Sequence, residues 1–457
     1  MMINRILKLT IAAVFLLAGT SVLQAGHAIK MEFPITGSVS VIVEQTVDGP
    51  VFTMGDMDPV EMERTGEDQW IVPGLDIRLE FLREDVGGVI EAADITRYGE
   101  TVRLSQDRRP QELFQDAPER VPEVLDELIP RLMIVHDVPG VSIAGIEERE
   151  VEWTGTWGVK EAGSDEQVTG ETLFEAASMS KAPFAYAVLR LVDRGEFDLD
   201  KPLVDIYGEP YEKVVKDTPD DTLHKMITAR MVFQHQTGFP NWSGDDPLKP
   251  AFEPGTDIGY SGEGFEFCQK VVQRVTGLPL YEFMRKELFD PLEMEQSSYI
   301  WEEHYPDISA EGHDSDGNLI EDRRIYEEPG NAAYTMYTTP SEYALFLIDV
   351  MGKTPSRGSL LSEESRKEML DPAVHDPGRS GLPRVEEAEC DDVYWGLSWR
   401  AQETSTGVRF HHGGANSTGF RCLTEFNPST GNGIVIMTNA FGGSALRNEV
   451  FSTISLP

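Results

Sequence analysis

Ser178-Met179-Ser180-Lys181 is the stretch on which the reading of this chain turns. Just beyond it, Phe184, Val188, Leu191 and Val192 fall on one stripe and Gly195 closes the run, the pattern of an amphipathic helix with a glycine stop. Pro183 suits such a helix only in its first turn, where a missing N–H costs nothing. Ser178 is therefore expected at a helix N-terminus, with Lys181 one turn on along the same side. A serine hydroxyl is a weak nucleophile until a neighbouring base takes its proton, and a lysine whose pKa is lowered by burial can be that base. The helix dipole favours negative charge developing at Ser178. Alone the four residues are a weak signal. S-x-x-K arises roughly once or twice by chance in a chain this long, and Ser and Lys at a helix start also read as a cap and a solvated charge.

Two later stretches strengthen the signal. Tyr260-Ser261-Gly262 follows Phe252-Glu253-Pro254-Gly255-Thr256 and precedes a helical pattern with Phe265, Cys268, Val271, Val272 and Val275 on one face and Gly277 at its end. Tyr260 is thus expected in a loop before a helix, where a tyrosinate stabilised by a lysine could relay protons to a leaving group. The plainer reading is a half-buried tyrosine with a satisfied hydroxyl. His411-His412-Gly413-Gly414-Ala415-Asn416 closes a strand-like run. Small residues at a strand edge let a substrate backbone lie alongside, and a backbone N–H there, with that of Ser178, could form an oxyanion hole. Adjacent strand residues point to opposite faces, so the two histidines do not pair as metal ligands. With no third ligand group in view, neither metal nor cofactor is expected.

Around these motifs the chain divides. Residues 1–28 carry Arg5 and Lys8, an apolar run from Ile11 to Ala18, and small residues at Ala25, Gly26 and Ala28, the three parts of an export signal. The run is short for a bilayer span of about 20 residues, so a protein without a membrane span after signal removal, periplasmic or secreted, is expected. Residues 29–106 read as a β-rich module, a two-layer sheet or small barrel. Val39, Val41 and Val43 alternate, as do Ile77, Leu79 and Phe81, with turn signals at Asp48-Gly49-Pro50 and Gly87-Gly88. Its function is not readable, and homo-oligomerisation through it is open. Residues 107–121 read as a proline-bearing linker. Residues 122–457 begin with a helical stripe (Leu125, Leu128, Leu132) and show strand patterns at Val141–Ile146 and Val151–Val159, helices through the middle, and strands again at Val408–His411, Arg421–Phe426 and Gly433–Asn439. Strands at both ends with helices between predict one mixed α/β domain whose sheet joins the two ends.

The 457 residues carry 39 basic and 79 acidic side chains, a net charge of −40. Such a surface repels nucleic acid and anionic leaflets and is read first as a solubility device. The 40% hydrophobic content suffices for a sizeable core. Cys390 and Cys422 could pair if the protein is exported, and the three cysteines show no zinc spacing.

The order Ser-x-x-Lys, then Tyr-x-x, then a basic residue followed by glycine resembles the penicillin-recognising serine hydrolases, in particular the branch of class C β-lactamases, D,D-peptidases and esterases. Thr172-Leu173-Phe174-Glu175-Ala176-Ala177, Leu199-Asp200-Lys201-Pro202-Leu203, His235-Gln236-Thr237-Gly238-Phe239-Pro240-Asn241-Trp242, Asp290-Pro291-Leu292-Glu293-Met294 and Trp395-Gly396-Leu397-Ser398-Trp399 resemble it as well. The likeness spans about residues 122–457 and leaves out the β-rich module. It implies an antiparallel sheet flanked by helices, with a helical subdomain. It also implies Ser178 as nucleophile, Lys181 as its general base or part of a shared base, Tyr260 as the proton carrier, and His412 where the lactamases have lysine. Ser178 and Ala415 would supply the oxyanion N–H groups, with Gly413, Gly414 and Gly262 lining the substrate. Starting the last motif at His411 is the other alignment; His412 is favoured because Gly413 and Gly414 then follow it.

The departures carry information too. Gly262 stands where the family has asparagine, which removes an amide expected to hold the substrate's carbonyl and orient Lys181. A lost hydrogen bond of that kind costs on the order of 1–3 kcal/mol, which counts against efficient β-lactam hydrolysis. Histidine at 412 is expected to titrate near neutrality and to hold a substrate carboxylate less firmly as pH rises. The Asn416–Gly419 link is one residue longer than usual. The sequence thus points to a serine hydrolase acting on esters or small D-amino-acid peptides, a small-molecule or peptide substrate in either case. A D,D-carboxypeptidase, a weak β-lactamase and a non-catalytic binding protein keeping the fold are the alternatives.

Overall fold

The computed structural model describes residues 29–35, 39–45, 50–55, 57–66, 68–83, 90–105, 121–208, 223–244, 246–321, 326, 329–352, 358–377 and 393–453. The export-signal reading, the linker up to residue 120, Gly87-Gly88 and Cys390 lie outside them, as does the proposed Cys390–Cys422 pair.

The N-terminal module consists of two antiparallel sheets. One holds β1 (Ile29–Pro34), β2 (Ser40–Gln45), β3 (Pro50–Met54) and β4 (Val60–Glu61) in that order. The other holds β5 (Glu63–Arg64), β6 (Gln69–Val72), β7 (Ile77–Arg83), β8 (Ile90–Arg97) and β9 (Glu100–Ser105). Their alternating residues meet in one core: Val41, Val43 and Phe52 from the first sheet, Ile77, Leu79, Phe81, Ile95 and Leu104 from the second. Period-two sequence thus becomes a two-layer β structure, as its pattern predicts.

The module is seated rather than tethered. Helix α1 (Val121–His136) buries Leu125, Leu128 and Leu132 against the main sheet and lends Ile134 to the module's core. Arg131 donates from Nη1 to the Ile35 carbonyl and from Nη2 to the Arg103 carbonyl, both at 3.3 Å. Arg97, 4% exposed, pairs with Asp137, donates to the Ile134 carbonyl at 3.1 Å and lies over the Tyr98 ring. Removing one partner of a buried ion pair strands the other charge. Because Asp137 keeps some exposure, Arg97→Ala is expected to cost about 2–3 kcal/mol, read as a lowered urea midpoint. An unchanged midpoint would show that this junction carries no stability.

The main sheet has eight strands, ordered β11-β10-β19-β18-β17-β16-β15-β14, with every neighbouring pair antiparallel. They are β10 (Gly140–Glu147), β11 (Glu150–Gly158), β14 (Val374–Asp376), β15 (Val393–Trp395), β16 (Arg400–Thr404), β17 (Gly407–Ala415), β18 (Arg421–Asn427) and β19 (Asn432–Thr438). The pair β12 (Phe174–Glu175) and β13 (Tyr337–Thr338) stands apart. The expected union of the two ends is the β10–β19 pairing, from Val141 opposite Thr438 to Ile146 opposite Gly433. Alternation sorts the faces. Val141, Ile143, Leu423, Ile434 and Ile436 meet α1 and the C-terminal helix α5 (Gly443–Thr453) on one side. Ala144, Ile146, Cys422, Val435 and Met437 meet the helical half on the other.

Three long helices organise that half: α2 (Lys181–Asp193), α3 (Gly262–Thr276) and α4 (Pro340–Met351). α3 starts on Ser261, whose hydroxyl accepts from Gly264 N–H at 3.0 Å, and ends on Gly277 in the left-handed conformation. Val275, expected on its buried face, is 37% exposed. It sits in the last turn, past the point where α3 leaves the core. Among the described residues no helix is long and apolar enough to cross a membrane.

Candidate active site

Ser178 sits one step earlier than a simple helix start. A short 3-10 turn, Ala177–Ser180, runs straight into α2, and Pro183 falls in the first turn of α2 as the pattern requires. Ala177 has φ 47°, a region a residue with a Cβ rarely adopts. The surroundings hold it there. Ala176 N–H donates to the Met336 carbonyl at 2.8 Å. Ser180 Oγ donates to the Ala177 carbonyl at 2.6 Å and accepts from Met336 N–H at 3.0 Å. Tyr343 O–H donates to the Met179 carbonyl at 3.0 Å.

Lys181 is fully buried, and its Nζ stands 3.3 Å from Ser178 Oγ and 2.8 Å from the Ala333 carbonyl. The Tyr260 and Phe265 rings lie 4.8 and 5.5 Å from it. Burial lowers its pKa from 10.5 to about 7, because desolvation penalises the charged amine. The amine is therefore substantially neutral near pH 7, the state a base requires.

Tyr260 joins the cluster from the loop before α3. Its phenol contacts Ser178 and donates to His412 Nε2 at 3.2 Å. His235, from the His-Gln-Thr-Gly stretch, lies tilted against its ring at 4.2 Å and accepts from Ser261 N–H at 3.2 Å through Nδ1. Burial raises the Tyr260 pKa above its ordinary value. The resting phenol is protonated, so the tyrosinate expected from the sequence is not the resting state.

His412, rather than His411, faces this cluster. Along β17, His412 shares a face with Phe410 and Gly414, while His411 falls on the other, near Arg400 and Arg409. His412 Nδ1–H donates to the Ser398 carbonyl at 2.7 Å, which leaves Nε2 to accept from Tyr260. The expectation that His412 titrates near neutrality is corrected here. Burial, with Lys181 adding to it, lowers its pKa to about 3, so it is a neutral acceptor and not a cation for a carboxylate.

The end of β17 forms the other wall. β16 pairs with it only as far as His411, whereas β18 pairs through Ala415. Residues 412–415 thus have no strand partner on the β16 side among the described residues. A Cβ on Gly414 would stand 2.2 Å from the Ala176 carbonyl oxygen, so glycine lets the strand lie against the nucleophile's turn. Gly414→Ala is expected to push the two apart and lower kcat/KM by about 100-fold or more, since a misplacement of about 1 Å can cost that much. Wild-type kinetics in this variant would show that the close approach is unimportant. Gly413 is partly exposed beside it and Gly262, the first residue of α3, is buried; the residues lining the cleft are neighbours of these glycines, Ala415 and Trp242 among them.

The cleft in front of Ser178 has a volume of about 550 Å³. Ala415, Asn416, Ser417, Arg421, Asn241, Trp242, Tyr326 and Tyr334 line it with Ser178. Several of these were not singled out from sequence as functional. Glu175 also belongs with them. It is buried and accepts from Asn416 Nδ2 at 2.6 Å and Thr418 Oγ1 at 2.8 Å, which pins the longer link after Ala415. Ala333 acts through its backbone carbonyl, for which no side-chain signal exists. Among the described residues no group of three His, Cys, Asp or Glu is placed to hold a metal ion.

A serine hydroxyl, a buried amine and a phenol converging at the edge of an antiparallel sheet define a serine-hydrolase site. The comparisons agree with that class. Penicillin-binding protein 4 of Amycolatopsis lactamdurans is 24% identical over 350 residues, 69% of this chain and 84% of that protein. The lovastatin esterase of Penicillium rubens is 31% identical over 154 residues, 27% of this chain and 38% of that protein. The D-alanine carboxypeptidase AmpC of Burkholderia cenocepacia shares the fold, with a TM-score of 0.61 at 18% identity over 74% of this chain and 98% of that one. A family model described as Beta-lactamase matches residues 125–453, and the chain belongs to that family of serine hydrolases.

Proposed function

We propose that the protein hydrolyses esters or small peptides through an acyl-enzyme on Ser178. The observation that carries this reading is the Lys181 amine, fully buried, depressed to a pKa of about 7 and 3.3 Å from Ser178 Oγ. Neutral Lys181 takes the Ser178 proton as Oγ attacks the carbonyl carbon. The oxyanion is held by the Ser178 and Ala415 N–H groups, both at the cleft. As the intermediate collapses, Tyr260 gives its proton to the leaving oxygen or nitrogen and is reprotonated from the Lys181 ammonium. Water then attacks the ester on Ser178, with the same groups moving its proton in reverse. His412 orients the Tyr260 hydroxyl without changing charge. The test is intact-protein mass spectrometry after exposure to a fluorophosphonate, a penicillin and p-nitrophenyl esters. An adduct mapped to Ser178 is expected, and a folded protein that no reagent labels would overturn the reading.

A second reading, a peptidase acting on substrates with a free carboxylate, has one specific observation behind it. Arg421 is the cation lining the cleft. It donates to the Asn416 and Phe420 carbonyls and has no carboxylate partner among the described residues, in a chain rich in acid. The pattern of residues 1–28 supports placing the protein outside the cytoplasm, which N-terminal sequencing of the mature chain would test.

A further inference from the structure

We infer that the acyl side of the cleft selects a flat apolar acyl group, aryl or alkyl, over an acylamido group, and that Trp242 and Gly262 impose this choice together. The inference rests on Ser178 being the acylated residue.

Four large apolar side chains among the described residues are well exposed: Met226, Trp242, Val275 and Leu319. Of these, Trp242, 46% exposed, lines the cleft with Ser178. Its indole lies directly on the bare backbone of Gly262. A Cβ there would stand 2.5 Å from Cη2, 2.7 Å from Cζ2 and 2.9 Å from Cζ3 of the ring. Any side chain at 262 would displace the indole, so the space in which the family carries an amide is filled by an aromatic ring. The pair is fixed to the start of α3, because Gly262 N–H donates to Asn241 Oδ1 at 3.0 Å and to the Asn241 carbonyl at 3.1 Å. The ring meets Tyr334 edge to face at 5.1 Å, and Tyr334 meets Tyr326 at 5.4 Å. All three line the cleft. An apolar acyl group gains contact and sheds water against such a wall. An acylamido group loses water from its C=O and N–H with no side-chain amide at 262 to replace it.

The experiment compares p-nitrophenyl phenylacetate, butyrate and N-acetylglycinate, each rate normalised to that ester's alkaline hydrolysis. Wild type is expected to favour the phenylacetate over the N-acetylglycinate by roughly tenfold or more in kcat/KM. Trp242→Ala should collapse that ratio through KM on the phenylacetate. Adding Gly262→Asn to Trp242→Ala should raise turnover of the N-acetylglycinate, whereas Gly262→Asn with Trp242 retained should not, because the displaced indole and the new amide compete for one space. Equal use of the two esters by wild type, as would follow if the Asn241 amide served the acylamido carbonyl, would overturn the inference. So would a ratio that Trp242→Ala leaves in place. Both outcomes leave Ser178 as nucleophile. Loss of all turnover, with no fluorophosphonate adduct, would strike at Ser178 itself and take this inference with it.

Discussion

Ser178→Ala is expected to lower kcat by roughly 10⁴-fold or more while leaving the fold intact, the scale seen when a nucleophile is removed from a cooperating site. The reason lies in how the site is shared out. Lys181, Tyr260 and the N–H groups act on a bond that Ser178 Oγ must make, so without Oγ there is nothing for them to accelerate. The hydroxyl contributes little to stability. It is half-exposed, and its partner Lys181 keeps the Ala333 carbonyl. A urea midpoint within about 0.5 kcal/mol of wild type is therefore expected. Undiminished hydrolysis in a clean preparation would move the nucleophile elsewhere. An unfolded variant would show that Ser178 is needed for structure, and the fluorophosphonate adduct would then have to identify the nucleophile.

The second large effect concerns Lys181, and here activity and stability move in opposite directions. If its neutral form is the base, kcat/KM should rise with pH and reach half its plateau near 7, the value to which burial brings the amine. His412, at about 3, adds no ionisation near neutrality. Lys181→Met should remove acylation. The sign of the stability effect follows from proton counting. The amine holds its proton to about pH 10.5 in the unfolded chain but only to about 7 in the folded one. Between those values the unfolded state binds more protons, so this group's contribution to stability rises with pH. At pH 7 and below wild type bears the full cost of the buried amine, and Lys181→Met should be more stable by on the order of 2–4 kcal/mol. The gap should narrow as pH rises to 10. A variant equally active, or a gap that does not change with pH, would contradict the assignment.

Much of this was legible beforehand, for reasons that differ by residue. Ser178 and Lys181 stand one helical turn apart, a spacing the sequence shows by itself, whereas Tyr260 and His412 were joined to them only by the resemblance to the penicillin-recognising hydrolases; the structure brings all four together. The strands at both ends showed as short apolar runs, because β10, β18 and β19 are packed on both faces and bury nearly every residue. β14 and β15, three residues each, are too short for a period to register. The state of His412 was misjudged because protonation depends on burial by distant segments, which local sequence does not report. Trp242 was visible as part of a motif, but its meaning depends on lying over Gly262, a contact made only after α3 is docked. Glu175 was visible only as part of the stretch before the nucleophile, because its partners Asn416 and Thr418 lie far along the chain, and the Ala333 carbonyl left no local trace.

The stitching of β10 to β19 has a further consequence, for the order of events in time. Gly140 N–H donates to Asn439 Oδ1 at 2.7 Å across 299 positions, so the β10–β19 seam of the main sheet joins segments from opposite ends of the domain. Contacts this remote in sequence place the chain among slow folders. A nascent chain could complete its N-terminal β module early, yet could close neither the central sheet nor the cleft wall on β17 until the last strand had been made. For most of its synthesis the nucleophile would therefore exist without an active site around it, and hydrolytic competence would arrive in one late step.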